Sequence, residues 1–112
     1  MPKHHDKNLL RFVTQALESM KAEAIITLPV STLTTITHDM VIATGTSSIH
    51  VRSIADRVIE QAKKNKISIL SIEGQEHANW ILIDLGDVIV HVMQEASRQY
   101  YHLEKLWSLI EE

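Results

Sequence analysis

Apolar positions along the chain first repeat at helical spacing. Leu9, Phe12, Val13, Ala16, Leu17 and Met20 form one stripe, the mark of an amphipathic helix that buries one face. Asp6 or Asn8 can cap this helix, which is expected to run to about Lys21. Ala24 to Leu28 then reads as a strand, stopped by Pro29. Ser31 to Thr37 is rich in Ser and Thr and has no clear period, so it reads as a connection. Met40-Val41-Ile42-Ala43-Thr44 is a largely apolar run, as expected of a central strand covered on both faces. Gly45 follows, and Ser47 or Ser48 can cap a second helix. Its stripe is Val51, Ile54, Ala55, Val58, Ile59 and Ala62. Lys63, Lys64, Asn65 and Lys66 suit its C-terminus, where cations meet the negative end of the dipole and Asn can cap. Ile67 to Ile72 predicts a third strand, completing a β-α-β unit with the second strand and its helix.

The last third of the chain organises the rest. Trp80-Ile81-Leu82-Ile83-Asp84 and Val88-Ile89-Val90-His91-Val92-Met93 flank Leu85-Gly86-Asp87. β-branched residues on both sides of a Gly/Asp turn predict a β-hairpin. Arg98 to Trp107 predicts a C-terminal amphipathic helix. Both Trp residues and both Tyr residues, Tyr100 and Tyr101, fall in this third, so the largest contact areas lie there. The expected fold is α/β: a five-stranded mixed sheet flanked by three helices, with the hairpin at one end. The element order is α-β-β-α-β-β-β-α. Residues 1–112 form one domain, with 1–6 expected to be loose.

Composition narrows the class. The chain is 45% hydrophobic and 22% charged, which places it among globular proteins. It has no cysteine, so disulfide and thiol chemistry are excluded. No apolar signal region opens it, and no apolar run reaches the ~20 residues that span a bilayer. The expectation is a soluble cytoplasmic protein. A net charge of −3 argues against broad phosphate binding. A basic protein surface is the better electrostatic match.

Candidate chemistry is sparse. Gly45-Thr46-Ser47-Ser48 between strand and helix suits an anion site. Without a P-loop lysine, a turn followed by a Ser cap is the simpler reading. His50, one turn into the helix, is then a structural residue that orients the loop. Asp84 and Asp87 are the only close acidic pair in a strand region. Residues three apart in a strand point to opposite faces, which argues against a shared metal. His91 between two Val residues reads as hydrogen-bonded packing rather than a ligand. No histidine pair on one helix has zinc spacing, and neither a Ser elbow nor a Cys nucleophile is present. Arg98 and Glu104 are ion-pair, rim-contact or surface positions. No cofactor is expected.

The blocks themselves resemble one family. Glu73-Gly74, Trp80, Asp84, Gly86-Asp87, Val90-His91-Val92, Arg98, Tyr101, Leu103-Glu104 and Leu106-Trp107 are similar to the signature of the ribosomal silencing factors, the iojap-like proteins. Val41 to Ser48 with His50-Val51 resembles a second block of that family. Together the two cover nearly all of residues 25 to 107. The chain departs from the pattern at His38, where Asp is usual, at Ile49, often Arg, and at Met93, commonly aromatic.

The resemblance implies a nucleotidyltransferase-like core, and the lack of a convincing carboxylate cluster argues against catalysis. It also implies a repressor that binds the large ribosomal subunit, through its protein numbered fourteen at the subunit-joining face. Such a protein sterically blocks the small subunit and lowers translation under nutrient limitation. A role in large-subunit assembly is the alternative, as in related organellar proteins. Trp80, Ile81, Ile83, Met93 and Arg98 are the candidate partner-binding residues. Two rivals stay open: a small nucleotidyltransferase using Ser47 and Asp84, and a homodimer with a self-complementary aromatic surface.

Overall fold

The computed structural model describes residues 7–30 and 37–97. The expected loose N-terminus, most of the 31–37 connection and the C-terminal helix from Arg98 lie outside the described residues. The described elements are α1 (Lys7–Ser19), β1 (Glu23–Pro29), β2 (Asp39–Gly45), α2 (Ser48–Lys64), β3 (Ser71–Glu73), β4 (Trp80–Asp84) and β5 (Val88–Gln94).

Both helices form where the apolar stripes place them. Leu9, Val13, Ala16 and Leu17 of α1 are buried, as are all six stripe residues of α2. Ser47 caps α2, its Oγ accepting from the His50 N–H at 3.1 Å. Asn65 caps the other end. Each helix closes on a lysine in the left-handed region, Lys21 at φ 57° and Lys66 at φ 59°. After α1, the Lys21 N–H donates to the Glu18 carbonyl and the Ala22 N–H to the Leu17 carbonyl. After α2, Lys66 donates to Lys63 and Ile67 to Ala62 in the same arrangement. This double bond satisfies carbonyls that the last turn leaves open.

The five strands make one mixed sheet in the order β1-β2-β5-β4-β3. β2 and β5 are parallel, from Asp39 opposite Val88 to Gly45 opposite Gln94. The other three pairings are antiparallel. The hairpin is therefore not an appendage at one end. Its second strand, β5, is the middle strand of the sheet, and only β4 and β3 lie beyond it. β5 can occupy the middle because it is apolar on both faces: Val88, Val90 and Val92 on one, His91 and Met93 on the other, all buried.

β2 is buried at every position, as its apolar run requires. The β-α-β unit is wider than expected, since β5 and β4 separate β2 from β3. β3 is also shorter than the 67–72 run. The Leu70 N–H donates to the Asp84 carbonyl at 2.8 Å, and the ladder proper holds only Ser71 to Glu73. Ile67 and Ile69 pack against the core without strand pairing. Pro29 is the last residue of β1, an edge strand where its missing N–H is tolerated.

Strand alternation divides the core in two. Val41 and Ala43 of β2, Ile81 and Ile83 of β4, and the three valines of β5 join α1 and α2 in the main cluster. The opposite parity carries a second cluster of Val30, Met40, Ile42 and Met93, with Leu28 and Trp80 packed against it. Among the described residues, no helix covers this second face.

Candidate functional site

The face of β4 and β5 that no described helix covers is where the sequence signature and a group of half-buried apolar side chains coincide. Trp80 opens β4 opposite Met93, and Leu82 stands opposite His91. The Trp80 indole reaches diagonally, its Nε1–H donating to Nδ1 of His91 at 2.8 Å. The rings lie 5.7 Å apart, tilted by 48°. Diagonal neighbours on one face of an antiparallel pair lie within reach of an aromatic side chain. His91 is 5% exposed, and its Nε2 has no hydrogen-bond partner among the described residues. Burial lowers its pKa from 6.5 to about 4, because a desolvated imidazolium is disfavoured. The ring is therefore neutral at pH 7, with Nδ1 accepting from Trp80.

Trp80 itself is half-buried. Leu82 and Ile89 on the same face are half-buried too, as are Ile26 and Leu28 of β1. Alternation sorts the candidate binding residues. Trp80 lies on this face with an exposed part. Met93 lies on it but is fully buried beneath. Ile81 and Ile83 are 0% exposed and point into the helix-covered core. Their side chains pack against the protein's own helices, which removes them from the solvent surface. Arg98 lies outside the described residues. Leu82 and His91 were missed as members of this surface. The available signal was parity, since positions 80 and 82 share a face in any strand.

The strand-to-helix turn at residues 45–48 is held from within. The Thr46 N–H donates to Nδ1 of His50 at 2.9 Å, while Nε2–H of the same ring donates to the Met20 carbonyl at 2.8 Å. His50 thus ties the turn to the end of α1. Gly45 abuts α2: a Cβ there would meet Val51 Cγ2 at 2.7 Å and the Val51 nitrogen at 2.9 Å. Asp84 is occupied in the hairpin turn, its Oδ1 accepting from the Gly86 N–H at 2.8 Å. The Asp87 carbonyl accepts from the His38 and Asp39 N–H groups, tying the hairpin turn to the start of β2. Among the described residues, no group of three or more His, Asp or Glu side chains could hold a metal ion. Nor is any helix there long and apolar enough to cross a membrane.

Comparison with known proteins gives a consistent result. The family described as ribosomal silencing factor during starvation matches residues 2–112. A protein of Haemophilus influenzae named ribosomal silencing factor is 41% identical over 100 residues, spanning 89% of this chain and 98% of its own. A crystal structure of a Chromobacterium violaceum protein superposes with a TM-score of 0.89 at 39% identity, covering 91% of this chain and 85% of that one. The mouse protein named mitochondrial assembly of ribosomal large subunit protein 1 is 33% identical over 72 residues, 62% of this chain and 32% of its own. The fold, the sequence blocks and the full-length family match agree: the chain belongs to the ribosomal silencing factor family.

Proposed function

We propose that this protein represses translation by occupying the large ribosomal subunit at its subunit-joining face, through the ribosomal protein numbered fourteen. Occupancy there excludes the small subunit sterically, and no bond is made or broken. The observation that carries the reading is the Trp80 surface. A half-buried Trp, fixed by His91 and flanked by half-buried Leu82 and Ile89, lies on a sheet face that the described helices leave uncovered. Rigid aromatic anchors of this kind concentrate binding energy. The mild negative charge suits a basic ribosomal-protein partner. This reading takes the protein to act in the cytoplasm.

The contact set takes Trp80 and Leu82 as direct contacts, with Met93 supporting them from below. Arg98 completes it in the family pattern. Ile81 and Ile83 act through packing, by fixing the strand. The test is co-sedimentation with purified large subunits and a translation assay. Trp80→Ala should release the subunit and restore translation while the variant stays folded; a folded variant with wild-type affinity places the interface elsewhere.

The mouse relative's name favours a second reading, participation in large-subunit assembly. Subunit profiles of cells lacking the protein separate the two. Accumulated large-subunit precursors indicate assembly, whereas normal subunits with excess joined ribosomes indicate silencing. A homodimer would engage the same aromatic surface in the unbound protein, and light scattering over a concentration series reports it.

A further inference from the structure

Trp80 follows a loop whose crest is exposed and which enters the core only at Ala78. Residues 73–77 are all exposed. We infer that Arg52, on the first turns of α2, is a positioning residue that clamps this loop and so fixes where Trp80 stands. The inference rests on the docking role of Trp80 proposed above.

The clamp is visible in the geometry. Nη2 of Arg52 donates to the carbonyls of both Gln75 and Glu76, each at 3.1 Å. The two ends of the loop are tied separately. At the near end, the Ala78 N–H donates to the Gly74 carbonyl at 3.1 Å. At the far end, Gln94 of β5 holds Asn79 twice, through its backbone N–H at 3.0 Å and its side-chain Nε2 at 3.1 Å. Between these ties, Arg52 joins the loop crest to the helix layer. One guanidinium nitrogen can serve two carbonyls at once because it carries two hydrogens in a fixed plane. A lysine ammonium lacks that planar fork, so the substitution is not neutral. Arg52 is exposed and contributes little to the core. Its loss therefore acts on the local opening of the loop more than on global unfolding. A loop that samples more conformations lowers the fraction of molecules with Trp80 correctly placed, and affinity falls by that fraction.

The test uses the full chain as wild type, Arg52→Ala, Arg52→Lys and Trp80→Ala. Hydrogen exchange of residues 75–79 and binding to purified large subunits are read together, with the melting midpoint as control. Arg52→Ala should raise exchange in 75–79 about tenfold, the loss expected for one net hydrogen bond. Exchange in β2 and β5 and the melting midpoint should not change. Subunit affinity should drop by the factor by which the closed-loop fraction falls, which is at most the factor gained in exchange, with Arg52→Lys intermediate in both readouts. Unchanged loop exchange in Arg52→Ala overturns the clamp. Raised exchange with wild-type affinity, while Trp80→Ala loses binding, overturns its positioning role. If Trp80→Ala itself keeps wild-type affinity, the docking reading fails, and the exchange result alone decides whether Arg52 clamps the loop.

Discussion

The indole N–H of Trp80 donates to Nδ1 of His91 across two strands, at 2.8 Å. This bond requires the neutral ring, since a doubly protonated imidazolium has no lone pair to accept with. One buried histidine thereby sets the orientation of the largest side chain on the proposed docking face.

Stability should fall in acid for the same reason. The folded-state pKa of His91 is lowered to about 4 from 6.5, so the unfolded chain binds the proton more tightly. The contribution is fully present above pH 6.5 and is lost as the pH falls toward about 4. The effect amounts to roughly 3 kcal/mol at most, from the shift in pKa. Melting midpoints recorded from pH 7 to pH 4 should decline in the wild type. They should decline less in His91→Phe, and parallel curves would show that His91 is not the responsible group.

Neighbouring residues of β4 should behave oppositely. Ile81→Ala opens a hole in the helix-covered core and should cost about 2–5 kcal/mol of stability. Leu82→Ala removes a half-buried side chain from the other face, and should cost under about 1 kcal/mol of stability while weakening large-subunit binding. Denaturant unfolding and co-sedimentation on the same two variants check both halves.

Gly45→Val should destabilise the protein by at least about 2 kcal/mol, the cost of forcing atoms into a filled space. The glycine is needed for room, since its φ lies outside the left-handed region and the obstruction is Val51. Even Gly45→Ala should lower the melting midpoint. A normal midpoint for the Ala variant would mean that α2 shifts freely away from β2.

Lys66→Gly should stabilise the fold. Lys66 holds φ 59° at the end of α2, a conformation that costs a side-chain-bearing residue about 1 kcal/mol. Glycine adopts it without that penalty, although its greater freedom in the unfolded chain offsets part of the gain. The expected rise is about 0.5 kcal/mol, read as a higher denaturant midpoint with an unchanged slope.

Nucleotide hydrolysis or transfer should be absent. Asp84 is engaged by the Gly86 N–H, and no cluster of three ligating side chains exists among the described residues. Incubation with nucleoside triphosphates and magnesium checks this. Turnover that vanishes in folded Asp84→Ala would establish an enzyme instead.

What could be read from the chain was local. Both helical stripes, the Ser47 and Asn65 caps and the burial of β2 follow from period and cap chemistry at adjacent positions. The position of β5 between β2 and β4 does not, because strand pairing depends on contacts distant in sequence. β4 shows the same limit within a single element. Trp80, Ile81, Leu82 and Ile83 are all apolar, so alternation gave two faces without saying which one meets the helices. The Met20 carbonyl that accepts from His50 was equally invisible, being thirty residues away.

A strand that is last among those described yet sits in the middle of the sheet also dictates when the protein can fold. During synthesis the chain emerges from its N-terminus, so β1, β2 and α2 appear well before β5. Until residue 94 is available, β2 has one unsatisfied edge and α2 lacks β5, one of the three strands it packs on. The nascent chain therefore cannot complete its sheet for most of its translation, and β2 keeps one edge unpaired until β5 arrives. Closing the central β2–β5 pair spans about half the sequence, and such non-local pairing slows folding. Truncations that stop before Val88 should then yield aggregating fragments, not a smaller domain.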